Sequence, residues 1–194
     1  MGGKKGDQDT MQVQTSRYLT SILRHNASKM GIPIRSDGSV LLTHILNLPR
    51  FAKLPNPKAA IENIVQTDNK QRFSLFEDVG QLYIRANQGH SIPVRDLPLE
   101  KVTDPARVPV AIHGTYRDKW ELIIGKDDGV ISGMRYSANV YVYVDVARAI
   151  ADGIDFYVSE NQVILSSGDS DGYIQPIYFS KVVDKDGNSL LELG

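Results

Sequence analysis

Residues 84–91 read IRANQGHS, from Ile84 to Ser91, and this stretch decides where one half of the chain stops being regular sheet. A strand can begin Ile-Arg-Ala, but it rarely runs on into Asn87-Gln88-Gly89-His90-Ser91, five polar or backbone-permissive residues in succession. Gly89 permits a sharp turn, and Asn87, Gln88, His90 and Ser91 carry groups suited to an oxygen-rich ligand. Taken alone, the octamer reads as a polar loop that follows a hairpin. The residues before it supply that hairpin: strands over 72–76 and 81–86, joined through Glu77-Asp78-Val79-Gly80.

Upstream, Leu19, Ile22, Leu23, Ala27 and Met30 form a helical stripe over residues 16–30, with Ser16 as its cap and Gly31 and Pro33 as its stop. Ser36-Asp37-Gly38-Ser39 is a turn, and residues 40–48 read as a second short helix. Asn56 is a capping residue before Pro57, and a third helix follows through Ile61, Ile64 and Val65. Three helices and a β-ribbon are in winged-helix order, so residues 15–97 are expected to form a winged-helix-like lobe that binds RNA or phosphate. Residues 98–109, with Pro98, Pro105 and Pro109, read as a linker. Residues 110–194 then turn β-rich. A strand covers 110–113, Val140, Val142 and Val144 alternate with Tyr141 and Tyr143, and a hairpin pairs 156–158 with 163–165. A short helix is expected over 147–151. The fold class is therefore α/β, of the α+β kind.

Composition narrows the function. The chain has 194 residues, 41% of them hydrophobic, enough for a substantial core. Its net charge of −1 conceals an asymmetry: residues 15–97 hold 11 Lys and Arg against 6 Asp and Glu, whereas residues 98–194 hold 9 against 15. A basic half of this kind suits a polyanion. Cysteine is absent, which excludes disulfides and thiolate metal sites. The histidines at 25, 44, 90 and 113 have no ligand spacing, so no metal is expected. No apolar run has membrane-spanning length. MGGKKGDQDT lacks the apolar stretch of a signal peptide, and residues 1–14 are expected to form a disordered tail. A monomer in an intracellular compartment, cytoplasmic or nuclear, is the expectation.

Several side chains could carry chemistry. Arg24 and His25 lie at or off the edge of the apolar stripe, and Arg72 and Arg85 sit near the ends of paired strands. Arginines converging on one concavity make a phosphate site, because the guanidinium fork meets phosphate oxygens in bidentate fashion. The alternative is a set of solvated faces. His113-Gly114-Thr115 ends a strand ahead of a helix-like stretch over 116–124, an arrangement that suits a dinucleotide. Trp120 reads as a core residue.

Taken in order, SILRH (21–25), Asp37-Gly38, KQRF (70–73), IRANQGHS (84–91), HGT (113–115), ISGMR (131–135), DGIDFY (152–157) and VILSSG (163–168) form a set that resembles the tRNA 2′-phosphotransferases over residues 15–179. The resemblance implies an N-terminal winged-helix lobe and a C-terminal ADP-ribosyltransferase-like lobe. It implies removal of a splice-junction 2′-phosphate from tRNA, or from another RNA, with NAD⁺ as co-substrate. The phosphate attacks the nicotinamide ribose and expels nicotinamide. The ribose 2″-hydroxyl then attacks phosphorus, giving 2′-OH RNA and ADP-ribose 1″,2″-cyclic phosphate. By matching motifs, Arg24, His25 and Arg72 are catalytic, Arg85, Gln88, Gly89, His90 and Ser91 bind the RNA phosphate, and His113, Gly114 and Thr115 hold NAD⁺.

One departure stands out. The family places a glycine-leucine turn, a fourth arginine and a His-x-His strand between HGT and ISGMR, whereas here Ile124-Gly125-Lys126-Asp127-Asp128-Gly129 runs almost directly into ISGMR. Losing one preorganised donor costs roughly 10²–10³ in rate. Two alternatives follow: an impaired variant that only binds RNA 2′-phosphate, or an ADP-ribosyltransferase with another substrate.

Overall fold

A computed structural model describes the backbone of residues 3–120 and 137–191, with side chains from residue 11 onward. The chain mixes helix and sheet and divides into two compact units, Met1–Pro98 and Leu99–Gly194.

In the first unit, helix α1 (Gly3–Ser21) passes into a π-helical turn (Ile22–Asn26) and a 3-10 turn (Ser28–Met30), which ends at Gly31 with φ of 67°. The helix therefore reaches back through the region expected to be a disordered tail. No proline or glycine interrupts residues 7–30, and a helix nucleated by its buried half propagates at little cost. Gln12 Nε2 also donates to Thr67 Oγ1 at 2.7 Å, and Thr15 is buried. Strand β1 (Val40–Leu41) comes next, then α2 (Leu42–Leu46), α3 (Pro49–Ala52) and α4 (Pro57–Thr67). Residues 40–48 are thus not all helix. Fully buried Val40 pairs with Ile84, and Leu41 pairs with Tyr83, so the helix starts only at Leu42.

Asn56 caps α4 by accepting from the Ala59 N–H at 3.2 Å, and Pro57 occupies the first turn. Strands β2 (Phe73–Asp78) and β3 (Gln81–Ala86) form the hairpin, and the sheet order is β1-β3-β2. Val79 and Gly80 both have positive φ, 48° and 70°, as a two-residue hairpin turn with right-handed strand twist requires. Leu19, Ile22, Leu23, Phe51, Ile61 and Ile84 fill the core without exposure.

The second unit is built on two antiparallel three-stranded sheets. One is β4-β7-β8, from Leu99–Lys101, Phe156–Ser159 and Ile164–Ser166. The other is β5-β6-β9, from Ala111–Thr115, Val140–Val144 and Phe179–Asp184. Helix α5 (Val146–Ala151) is capped by Asp145, which accepts from the Arg148 N–H at 3.0 Å. The stretch expected to be a linker is structured: β4 pairs with β7, and Asp104 caps a 3-10 turn at Pro105–Arg107. Its prolines sit at turns rather than along a free tether. Val140, Val142, Val182 and Ala149 are fully buried, and Trp120 lies 6.1 Å from Phe179 between ring centroids, a core residue as read from the sequence.

Candidate functional site

The π-turn delivers Arg24 and His25. The Ala27 N–H donates to the Ile22 carbonyl at 2.9 Å, one residue farther back than in an α-helix. Ile22 and Leu23 stay buried inside the turn, while His25 is exposed and Arg24 is half-buried. The loop after β3 is joined to this turn. The Ser91 N–H donates to the Arg24 carbonyl at 2.9 Å, and Ser91 Oγ lies 2.9 Å from His25 Nδ1. Gly89 has φ of 80°, and a Cβ there would stand 3.1 Å from Arg24 Nη1 and 3.3 Å from its Cζ. The Arg24 guanidinium thus rests on the bare backbone of Gly89, and a side chain would displace it.

Arg72 is placed by two polar residues, part-buried Asp68 and buried Asn87. Asp68 accepts the Arg72 N–H at 2.8 Å and the Lys70 N–H at 3.2 Å, and it forms an ion pair with Arg72 Nη1. Asn87 is only 4% exposed; its N–H donates to the Arg72 carbonyl at 2.9 Å and its Nδ2 to the Gln71 carbonyl at 2.8 Å. The Asn87 Oδ1 in turn accepts from Ser74 Oγ at 2.7 Å. Asn87 therefore ties the Gln71–Arg72 backbone, where Gln71 has φ of 44°, to Ser74 of β2. Neither Asp68 nor Asn87 was singled out from the sequence as holding Arg72. An aspartate followed by a turn after a helix is the signal that could have found the first.

The electrostatics gather at Arg24. Its guanidinium is held below the usual arginine range by burial and then by Arg72, with Asp68 opposing. Its Nε and Nη2 are buried, and among the described residues neither has a hydrogen-bond partner. His90 is pushed down to about 4 by burial, then by Arg24 and His25, so its ring is neutral at pH 7. Its Nε2 is likewise buried without a partner among the described residues, facing Gly38, whose added Cβ would stand 3.0 Å away. Buried polar atoms left open in this way are rare in folded proteins and fit a site completed by a ligand. Arg85 stands one step aside. Its Nη1 is 3.6 Å from Asp37 Oδ2 and its Cζ is 4.8 Å from the Phe76 ring, so it braces the turn that carries Gly38 against His90. Gln88 follows Asn87 with a part-exposed side chain.

In the second unit, His113, Gly114 and Thr115 close β5, opposite Val142, Tyr141 and Val140. Gly114 and Thr115 are buried. His113 Nδ1 is buried with no partner among the described residues, and burial pushes the ring down to about 4. A helical turn follows, where the Trp120 N–H donates to the Tyr116 carbonyl at 2.8 Å, and Asn139 Oδ1 accepts the Arg117 N–H at 2.9 Å. The rest of the expected helix over 116–124, the ISGMR motif with Arg135, and the junction at which the sequence departs from its pattern lie outside the described residues.

The model of the RNA 2′-phosphotransferase, Tpt1/KptA family matches residues 10–129 and 124–168. The chain belongs to that family. Its two matched segments meet over 124–129, where the sequence analysis placed the missing segment. A relative from Schizosaccharomyces pombe is 38% identical over 198 residues, covering 93% of this chain and 53% of that one. This chain thus spans about half the length of that relative. The tRNA 2′-phosphotransferase 1 of Bos taurus is 40% identical over 199 residues, covering 91% of this chain and 77% of that one. The protein of the same name from Danio rerio is 37% identical over 205 residues, covering 92% and 90%. Each of these alignments is longer than the 194-residue chain, so each must open gaps on this chain's side.

Proposed function

We propose that this chain is an NAD⁺-dependent tRNA 2′-phosphotransferase, in which the basic unit is a winged-helix-like phosphate reader and the second unit an ADP-ribosyltransferase-like nucleotide binder. The β1-β3-β2 ribbon after a helical segment supports the first description, and the paired antiparallel sheets support the second. The observation that carries the reading is Arg24, a half-buried cation with two buried, open donor atoms, set beside Arg72.

A 2′-phosphate bound there accepts from Arg24 and Arg72, while Ser91 fixes His25 and Gly89 leaves room for the guanidinium. Two arginines compensate the charge that builds on phosphorus when the ribose hydroxyl attacks it, which is where preorganised donors accelerate most. The open Nδ1 of His113, with Gly114 and Thr115, fits a polar nucleotide such as NAD⁺, which supplies the ribose that accepts the phosphate. The products are 2′-OH RNA, nicotinamide and ADP-ribose 1″,2″-cyclic phosphate.

A second reading has an observation in its favour. The alignment gaps, together with the missing arginine and His-x-His, favour a reader that binds 2′-phosphorylated RNA with little or no turnover. Incubation with an internally 2′-phosphorylated oligonucleotide and NAD⁺ separates the readings. Dephosphorylated RNA with released nicotinamide supports the enzyme, and bound but unchanged RNA supports the reader. A stable ADP-ribosylated RNA would indicate a transferase that stops after the first step.

A further inference from the structure

The π-turn at Ile22–Asn26 carries Arg24 and His25, and a side chain bridges it. Asn26 Nδ2 donates to the Ser21 carbonyl at 3.2 Å and to Ser21 Oγ at 2.8 Å. In an α-helix each residue advances 100°, so a residue five positions back lies about 140° around the cylinder, beyond the reach of so short a side chain. In a π-turn the i→i+5 ring brings that residue almost directly beneath. The Asn26–Ser21 contact and the Ala27–Ile22 backbone bond therefore favour the same geometry. Residue type favours the opposite outcome: within Ile-Leu-Arg-His-Asn-Ala, leucine, arginine and alanine are good α-helix formers.

We propose that Asn26 is a positioning residue for the phosphate site, and that its side-chain amide holds the π-turn which keeps Arg24 over Gly89 and His25 on Ser91. Reversion to α-helix removes one residue of slack and rotates Arg24 and His25 relative to the loop at residues 89–91. The backbone bonds from Ser91 and Ile92 to the Arg24 carbonyl, at 2.9 and 3.4 Å, then lose their register as well. The proposal rests on the phosphate-site reading only for its consequence in turnover.

The test uses the full chain as wild type, Asn26→Ala and Asn26→Leu, the last keeping close to the shape of the side chain without any polar group. Asn26→Ala should lower turnover of 2′-phosphorylated RNA roughly 10- to 100-fold at a temperature where the variant is still folded, the range that a small misplacement of a catalytic group produces. A residue with a merely structural role would lower the melting temperature and leave turnover below it unchanged. The readout independent of activity is the NMR coupling across the hydrogen bond from the Ala27 N–H. It should connect to the Ile22 carbonyl in wild type and to the Leu23 carbonyl in both variants. Coupling that stays on Ile22 in the variants, or a lower melting temperature with unchanged turnover, overturns the proposal. A wild-type chain without turnover would defeat the enzyme reading, and the coupling would still decide the role of Asn26.

Discussion

Gly89→Ala perturbs the site at one well-defined point. Gly89 sits at φ of 80°, where an L-residue costs roughly 1–2 kcal/mol. The added methyl would stand 3.1 Å from Arg24 Nη1 and 3.3 Å from Cζ, inside the ~3.5–4.0 Å of a relaxed contact. The guanidinium is the far end of a flexible side chain, so it can retreat by a few tenths of an ångström and add little to the stability cost. The consequence falls on binding instead. A hydrogen bond to a charged group contributes about 1.5–3 kcal/mol, and losing about half of one weakens the complex roughly 5-fold. Urea denaturation should therefore show Gly89→Ala destabilised by about 1–2 kcal/mol. Fluorescence anisotropy should show affinity for a 2′-phosphorylated oligonucleotide reduced about 5-fold, with affinity for the 2′-OH oligonucleotide unchanged. Full retention of 2′-phosphate preference in a folded but destabilised variant would refute the placement of Arg24 against this backbone.

Acid should act through two histidines. His90 and His113 have folded values near 4, well below the ordinary 6.5, so the unfolded chain takes up protons that the folded chain refuses. Their contribution to stability is complete above pH 6.5 and falls away as pH drops toward 4, less steeply than full burial would give because both rings are only part-buried. His113→Gln should flatten the wild-type loss of urea stability between pH 7 and pH 4.5, and an unchanged slope would mean that the ring is not buried neutral. In a chain that turns over, Arg24→Ala or Arg72→Ala should let ADP-ribosylated RNA accumulate on a sequencing gel, because the second step most needs charge compensation. Inserting the family's glycine-leucine, arginine and His-x-His segment between Lys126 and Asp128 should raise turnover more than RNA affinity, and equal turnover would point to Arg135 as the first residue to examine.

Local chemistry with a short signature was legible in the sequence. Asn56-Pro57 announces a cap and a first turn, and the hairpin turns within Glu77-Asp78-Val79-Gly80 as read, although Glu77 and Asp78 belong to β2 and the turn proper is Val79-Gly80. The gathering of Arg24, His25, Gly89, His90 and Ser91 was legible only as an ordered set of motifs, since no spacing links residue 24 to residue 89. The π-turn left no mark at all, because an i→i+5 bond adds one residue of slack without changing which residues are apolar. Val40-Leu41 was misread as helix since two residues carry no periodicity, and their pairing with β3 is a tertiary event. The prolines of residues 98–109 gave the wrong reading for a related reason: proline marks a turn as readily as a tether, and only the pairing of β4 with β7 distinguishes them. Arg85 reads as a phosphate ligand from its strand position, and in the structure its guanidinium also lies against Asp37 and Phe76.

The central claim is that Arg24 and Arg72 form a site for a 2′-phosphate, and equilibrium binding of two matched oligonucleotides, one with an internal 2′-phosphate and one with a 2′-hydroxyl, tests it most directly. Two charge-assisted contacts of about 1.5–3 kcal/mol each predict that the wild-type chain prefers the phosphorylated strand by at least about 100-fold, and that Arg24→Ala/Arg72→Ala abolishes the preference while remaining folded. Equal wild-type affinity for the two strands, or a preference that survives in the double variant, would contradict it.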